Sequence, residues 1–292
     1  MGERPLGRPV AVDVGRVHYD AVTHVGTRGP DIGAAYGDAG RNRSEVVPGG
    51  SALIVGGGGP MGRMHLQRLL EMPQGPRRIV VAETNLVRNP ELVADFGPLA
   101  QRRGIELTVV NPKLMAADEY EAVLDAAHAG RGFDDIVVVV ASAAAVEDAA
   151  RHLAPHGLLL VFGGLARGTL AQLDLSNVYL GAMQVVGSAG SRIRDQAAVL
   201  ERVAAGHLST ASAVAAIGGL DAAPAGMQGL MDGRFAGKMV IYPQIPAFPL
   251  TALADLKEVA PAVYDLLDDQ GHWTRAAEAE LLRRYAGEVY GK

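Results

Sequence analysis

The 292-residue sequence carries 49% hydrophobic and 20% charged residues and a formal net charge of −5. At roughly 150 residues per domain it holds one large or two ordinary domains, and this balance excludes disorder, a fibrous chain and an electrostatic footprint for nucleic acid or an anionic membrane. The absence of cysteine removes disulfides, thiolate-bound zinc, iron-sulfur clusters and a thiol nucleophile.

In chain order, Val10–Val14 and Val22–Val25 read as short strands, and the polar stretch Gly37–Gly50 as a linker. From Ser51 the pattern becomes the alternation of parallel α/β units. Strands are expected at Ala52–Val55, Arg78–Ala82, Ile105–Val110, Asp135–Val140, Leu158–Phe162 and Met183–Val186. Helices are expected at Met61–Met72, Leu92–Arg103, Tyr120–Ala129, Val146–Leu153 and Arg192–Ala205. Runs such as Ile136–Val140 suit strands covered by helices on both faces. The fold class is therefore α/β, a doubly wound parallel Rossmann sheet with short N-terminal and helical C-terminal extensions. The expected domains are an N-terminal segment over 1–48, a dinucleotide-binding domain over 49–206 and an extension over 207–292. That extension begins as an irregular Ala/Gly region, then gives a strand at Lys238–Tyr242 and a helical tail over Leu253–Tyr290. The tail carries the single Trp273 and a stripe of Ala277, Leu281 and Tyr285, which suits packing within the chain. No apolar run reaches 18 residues, the longest being Ile136–Val146 with Ser142 inside it, and the first residues lack a hydrophobic signal region. A cytoplasmic protein is expected.

Sliding the sequence by 161 positions superposes Asp13, Val17, Val25, Gly26, Gly29 and Ile32 on Asp174, Val178, Val186, Gly187, Gly190 and Ile193. Two independent strand-turn-helix units sharing turn glycines would give the same pattern. As a true repeat, it makes 9–36 the last strand and turn of another nucleotide-binding domain whose earlier strands precede Met1.

The strongest chemical signal is Leu53–Gly62, in which Gly57, Gly59 and Gly62 form G-x-G-x-x-G directly after a strand and at a helix start. The first glycine permits the turn, the second lets a pyrophosphate reach the backbone, and the third lets helix and strand pack. Free N–H groups and the helix dipole hold the phosphate charge, so Gly57, Gly59, Pro60, Met61 and Gly62 are candidate cofactor contacts. Twenty-one residues after Gly62, Glu83 ends the second strand where a ribose-binding acid belongs. Its carboxylate favours NAD, while nearby Arg88 leaves NADP open. Arg63-Met64 stands where a Walker A loop needs Lys-Ser/Thr, which argues against nucleotide hydrolysis. An S-adenosylmethionine-dependent methyltransferase would share the glycine loop and the acid. Against it stand three further strand ends at the same sheet edge, near Ser142, Gly163-Gly164 and Ser188, which would surround a nicotinamide.

With these motifs the chain resembles the medium-chain dehydrogenase/reductase superfamily, and within it the L-sorbose-1-phosphate reductase-like sugar-phosphate and polyol dehydrogenases. The resemblance rests on Gly58–Arg68, Gly132–Val137, Gly163–Thr169, Val186–Ser188 and Gly237–Ile241, and covers about residues 10–245. It implies NAD(P)-linked oxidation of an alcohol or reduction of a carbonyl on a polyol or sugar phosphate. It also implies a role for Lys238 at the cofactor pyrophosphate, and dimerisation through the strand near Val186. The family places a GroES-like catalytic domain of roughly 150 residues ahead of the cofactor domain, whereas about 50 residues precede the cofactor strand here. His18, His24 and His65 lack a Glu or His partner at ligand spacing, so no metal and no zinc are expected in this chain. No catalytic acid or base can be named. His18-Tyr19-Asp20 is the nearest candidate trio, but on a strand end its members would face alternate sides. The expected activity is that of an oxidoreductase, with the missing catalytic domain supplied by a partner chain or by a gene start upstream of Met1. The alternative is a non-catalytic NAD-binding fragment or regulatory module.

Overall fold

In the computed structural model, which describes residues 3–37, 43 and 45–286, the chain first forms β1 (Val10–Asp13) and turns at once into α1 (Val14–Tyr19). The expected strand through Val14 ends early because Asp13 caps the helix, its carboxylate accepting the Arg16 N–H at 2.9 Å. Val22–Val25 is not a strand of its own; within it only His24 makes a bridge, to Val185. After α2 (Gly33–Gly37), the expected linker partly lies outside the described residues. Its Arg43 meets the buried Asp135 carboxylate at 2.5 Å, and Val47 N–H donates to the same group at 2.9 Å.

The central sheet follows the Val/Ile runs. In chain order come β2 (Ser51–Val55), α3 (Pro60–Glu71), β3 (Arg78–Ala82), α4 (Arg88–Arg103) and β4 (Glu106–Val110). They are followed by α5 (Ala117–His128), β5 (Phe133–Val138), α6 (Ala143–Arg151) and β6 (Leu153–Val161). Before β8 (Gln184–Gly187), the sixth sheet strand, the chain inserts β7 (Leu170–Leu173) and α7 (Ser176–Leu180), two elements absent from the sequence reading. The expected helix through Leu153 stops at Arg151, and Leu153 opens β6 instead.

Six strands lie parallel in the order β4-β3-β2-β5-β6-β8. Period-2 alternation along β2 splits its side chains between two cores. Ala52 and Ile54 pack with Leu66, Leu70, Leu92 and Phe96 of α3 and α4, while Leu53 faces the cluster containing Leu124 of α5 and Val146 of α6. Growth of the sheet reverses between β2 and β5, which opens a crevice at the carboxyl ends of these two strands. β7 stays outside the sheet and pairs antiparallel with β1.

A second compact unit begins at Val199, inside α8 (Ile193–Ala204). It contains β9 (Val214–Gly219), α9 (Ala223–Met231), β10 (Lys238–Tyr242) and β11 (Thr251–Ala252), with β9 central in a three-stranded sheet. That strand lies in the stretch expected to be irregular. The tail is not one helix but α10 (Leu256–Val259), α11 (Pro261–Tyr264) and α12 (Arg275–Tyr285), with Tyr290 outside the described residues. Pro261 sets the first break, since the residue before a proline is pushed out of the helical region. Trp273 packs within this unit and donates from Nε1 to the Tyr242 hydroxyl at 3.1 Å. Ala277 and Leu281 are buried beside it, and Tyr285 stacks edge-on against Phe248. Among the described residues no helix is long and apolar enough to cross a membrane.

Candidate cofactor site

The turn from β2 into α3 forms the floor of the crevice. Its left-handed residue is Gly56, at φ +87°, one position ahead of the motif's first glycine. Gly57 is required for a different reason: a Cβ there would lie 2.1 Å from Val81 Cγ1 in the buried face of β3. At Gly62 a Cβ would lie 2.5 Å from the Gly56 carbonyl oxygen and from Gly57 Cα, so the third glycine lets α3 close onto the turn. Gly59, the N-cap of α3, is different. A Cβ there would meet only Arg88 Nη1, at 3.8 Å, leaving open space above a helix start whose N1 residue is Pro60. Met61 follows in the first turn of the helix.

Glu83 leaves β3 and folds its carboxylate back onto this loop. The side chain is 6% exposed, and Oε2 accepts the Gly58 N–H at 2.7 Å while Oε1 accepts the Asn85 N–H at 2.9 Å. Two N–H donors fix the carboxylate beside the glycine turn. Arg88, the first residue of α4, comes to the same place, its Cβ 2.8 Å from where a Gly58 Cβ would stand. The acid and the base flagged in the sequence therefore share one edge of the crevice.

The other strand ends are arranged around it. Ser142 follows β5 and caps α6, its hydroxyl accepting the Ala145 N–H at 3.2 Å. Gly163, after β6, has no room for a side chain, since a Cβ would lie 2.1 Å from the Val140 carbonyl oxygen. Gly164 faces the Tyr19 hydroxyl, 3.3 Å from its would-be Cβ. Ser188 follows β8 and is exposed. Lys238 opens β10 in the second unit and is exposed there.

A cluster that the sequence reading did not assemble surrounds Phe162, just past β6. His18 and His65 both stand edge-on to its ring, at 6.1 and 4.8 Å. His18 is buried with Nδ1 3.4 Å from the Val161 carbonyl oxygen, and burial pushes the His65 imidazole below its usual pKa. His18, Tyr19 and Asp20, expected on alternate faces of a strand, are instead the last turn and C-cap of α1. Their directions still diverge. Tyr19 lies under the Arg167 guanidinium, and Asp20 takes two hydrogen bonds from Arg167, at 2.8 and 3.0 Å, and one from Arg16 at 3.0 Å. Those arginines hold the Asp20 carboxyl below its ordinary range. His18, His65 and Phe162 come from three distant segments, so no spacing in the sequence connects them. Among the described residues, no three His, Asp or Glu side chains converge as a metal site.

No protein-family model matches the chain. It is 32% identical over 251 residues to mannitol-1-phosphate 5-dehydrogenase of Aliivibrio fischeri, a match covering 82% of this chain and 58% of that protein. It is 31% identical over 241 residues to L-sorbose 1-phosphate reductase of Klebsiella pneumoniae, covering 81% and 56%. An uncharacterised Escherichia coli protein, YggP, is 33% identical over 85% of this chain and 60% of its own length. The chain thus spans less than two thirds of each of these relatives. Among solved structures, 2R,3R-butanediol dehydrogenase from Bacillus subtilis shares the fold at a TM-score of 0.54 and 19% identity, covering 70% of this chain and 54% of that one.

Proposed function

We propose that this chain, which belongs with the sugar-phosphate dehydrogenases of the medium-chain dehydrogenase/reductase type, binds a nicotinamide dinucleotide and serves hydride transfer on a polyol or sugar phosphate. The observation that carries this reading is the Glu83 carboxylate seated on the Gly58 N–H, beside open space over Gly59. Pyrophosphate oxygens would take N–H groups at the start of α3, with the positive end of the helix dipole behind them. Glu83 would accept hydrogen bonds from the adenosine ribose hydroxyls and repel a 2′-phosphate, which favours NAD(H). When bound, the nicotinamide accepts a hydride from an alcohol carbon or returns one to a carbonyl. Ser142, Gly163, Gly164 and Ser188 would line its pocket, with backbone at Gly163 close enough to exclude a side chain. Lys238 is assigned to the pyrophosphate by family likeness alone.

Calorimetric titration with NADH, NADPH and S-adenosylmethionine tests the reading. NADH should bind more tightly than NADPH, and Glu83→Ala should weaken NADH by at least tenfold, about 1.4 kcal/mol, while affecting NADPH less. Failure of both nicotinamides to bind would sink the proposal, and selective binding of the methyl donor would point to a methyltransferase.

A further inference from the structure

The sequence repeat at 161 positions has a structural counterpart, because the two copies contact each other. The strand pairs Val10–Leu173 and Val12–Ala171 of β1 and β7 exchange with one another when each residue is replaced by its counterpart 161 positions away. Farther along, His24 and Val185 are themselves counterparts, and they bridge each other through two backbone hydrogen bonds of 2.8 and 3.2 Å. Such self-mapping pairs are the mark of a two-fold contact, in which the same patch appears on both sides.

Independent backbone features obey the same operation. Among the described residues only four non-glycine residues have positive φ, and two of them, Ala21 at 51° and Ala182 at 53°, are counterparts. The C-cap bonds Asp20 N–H to Arg16 O and Gly181 N–H to Asn177 O, both 2.9 Å, are counterparts as well. A Cβ on Gly26 would strike Tyr179 Cα at 2.9 Å and Val178 O at 3.0 Å, and one on Gly187 would strike Val17 O at 2.2 Å and His18 Cα at 2.9 Å. Each glycine packs on the residues equivalent to those that receive the other.

We propose that residues 10–32 are an internal duplicate of residues 171–193 that fills one half of a two-fold contact within a single chain, closing the β8 edge to a second copy of the chain. β8 is one of the two outer strands of the six, and an outer strand offers unpaired N–H and C=O groups to any matching chain. His24 occupies those of Val185. The duplicate has the conformation of the segment it faces, so the corresponding segment of another chain has the right shape to take its place when it leaves.

The cysteine-free sequence lets introduced thiols report the contact without background. A hydrogen-bonded antiparallel pair sets Cα atoms about 5.5 Å apart, inside the disulfide range of about 4.4–6.8 Å. Under oxidation the full chain carrying His24→Cys and Val185→Cys should close an internal disulfide and run as a single chain on a non-reducing gel. Val185→Cys alone should remain uncrosslinked. A covalent dimer from either protein would overturn the proposal, because the edge would then be open or paired between chains. His24→Pro removes the N–H that holds the segment and leaves β8 unaltered. Combined with Val185→Cys, it should give a covalent dimer through the thiols at position 185, as should Gly26→Val in the same background. If whichever of these variants folds, judged by a cooperative melt, stays uncrosslinked, a second copy does not fit the edge and the proposal fails.

Discussion

Gly57 and Gly59 sit two residues apart in one motif, yet different forces hold them. A methyl group at Gly57 would enter the core against Val81 Cγ1, on a β-branched side chain with little freedom to yield. Gly57→Ala should therefore destabilise the fold by about 1–3 kcal/mol, seen as a lower Tm without any ligand. A methyl group at Gly59 has only the tip of Arg88 within reach, at 3.8 Å. Gly59→Ala should cost about 1 kcal/mol or less in stability but obstruct the approach of the pyrophosphate, weakening NADH by at least tenfold. Melting curves and NADH titrations on the two variants separate these effects. Loss of stability with intact binding in Gly59→Ala would mean that the space above it is not where the phosphate sits. The spacing of the glycines and of Glu83 was legible as a motif, whereas the contact with Val81 of β3 that bars a side chain at Gly57 was not, since only the folded sheet brings the two together. The left-handed turn at Gly56 was not, since four consecutive glycines give no local reason to choose one.

Among elements, the strands that can be read from sequence are those rich in Val and Ile. β3 and β5 are Val/Ile-rich because helices cover both faces. β7 and β9 were missed, for Leu-Ala-Gln-Leu and an Ala/Gly run carry little strand propensity and owe their conformation to partners distant in sequence, β1 and β10. The Phe162 cluster shows the same dependence, since α3 brings His65 to β6 only in the folded state. Burial lowers the pKa of His65 relative to its unfolded value of about 6.5. Below that value the unfolded chain binds the proton more readily than the native one, so stability is lost as pH falls and levels off above about pH 7. Tm should be lower at pH 5.5 than at pH 7.5, and His65→Phe should remove part of that difference. An unchanged slope in the variant would show that His65 titrates equally in both states.

At the scale of the molecule, the first unit is a parallel sheet whose last strand is finished by a copy of its own surroundings. Comparison of the sequence with itself reveals the repeat, but a repeat specifies like shapes and not where they meet. The fold supplies the meeting place, and Gly26 and Gly187 are two of its contact points. Their environments are equivalent but not equally tight, so the substitutions should differ in a defined order. Gly187→Ala forces a methyl to within 2.2 Å of the Val17 carbonyl oxygen, whereas Gly26→Ala meets nothing closer than 2.9 Å. Gly187→Ala should cost about 3 kcal/mol and Gly26→Ala about 1 kcal/mol. Because both act by prising the two copies apart, the double variant should cost less than the two single losses together, by at least about 0.5 kcal/mol. Urea unfolding of the four proteins measures this coupling. Strict additivity would mean that the glycines belong to separate contacts and that the duplicate does not move as one body.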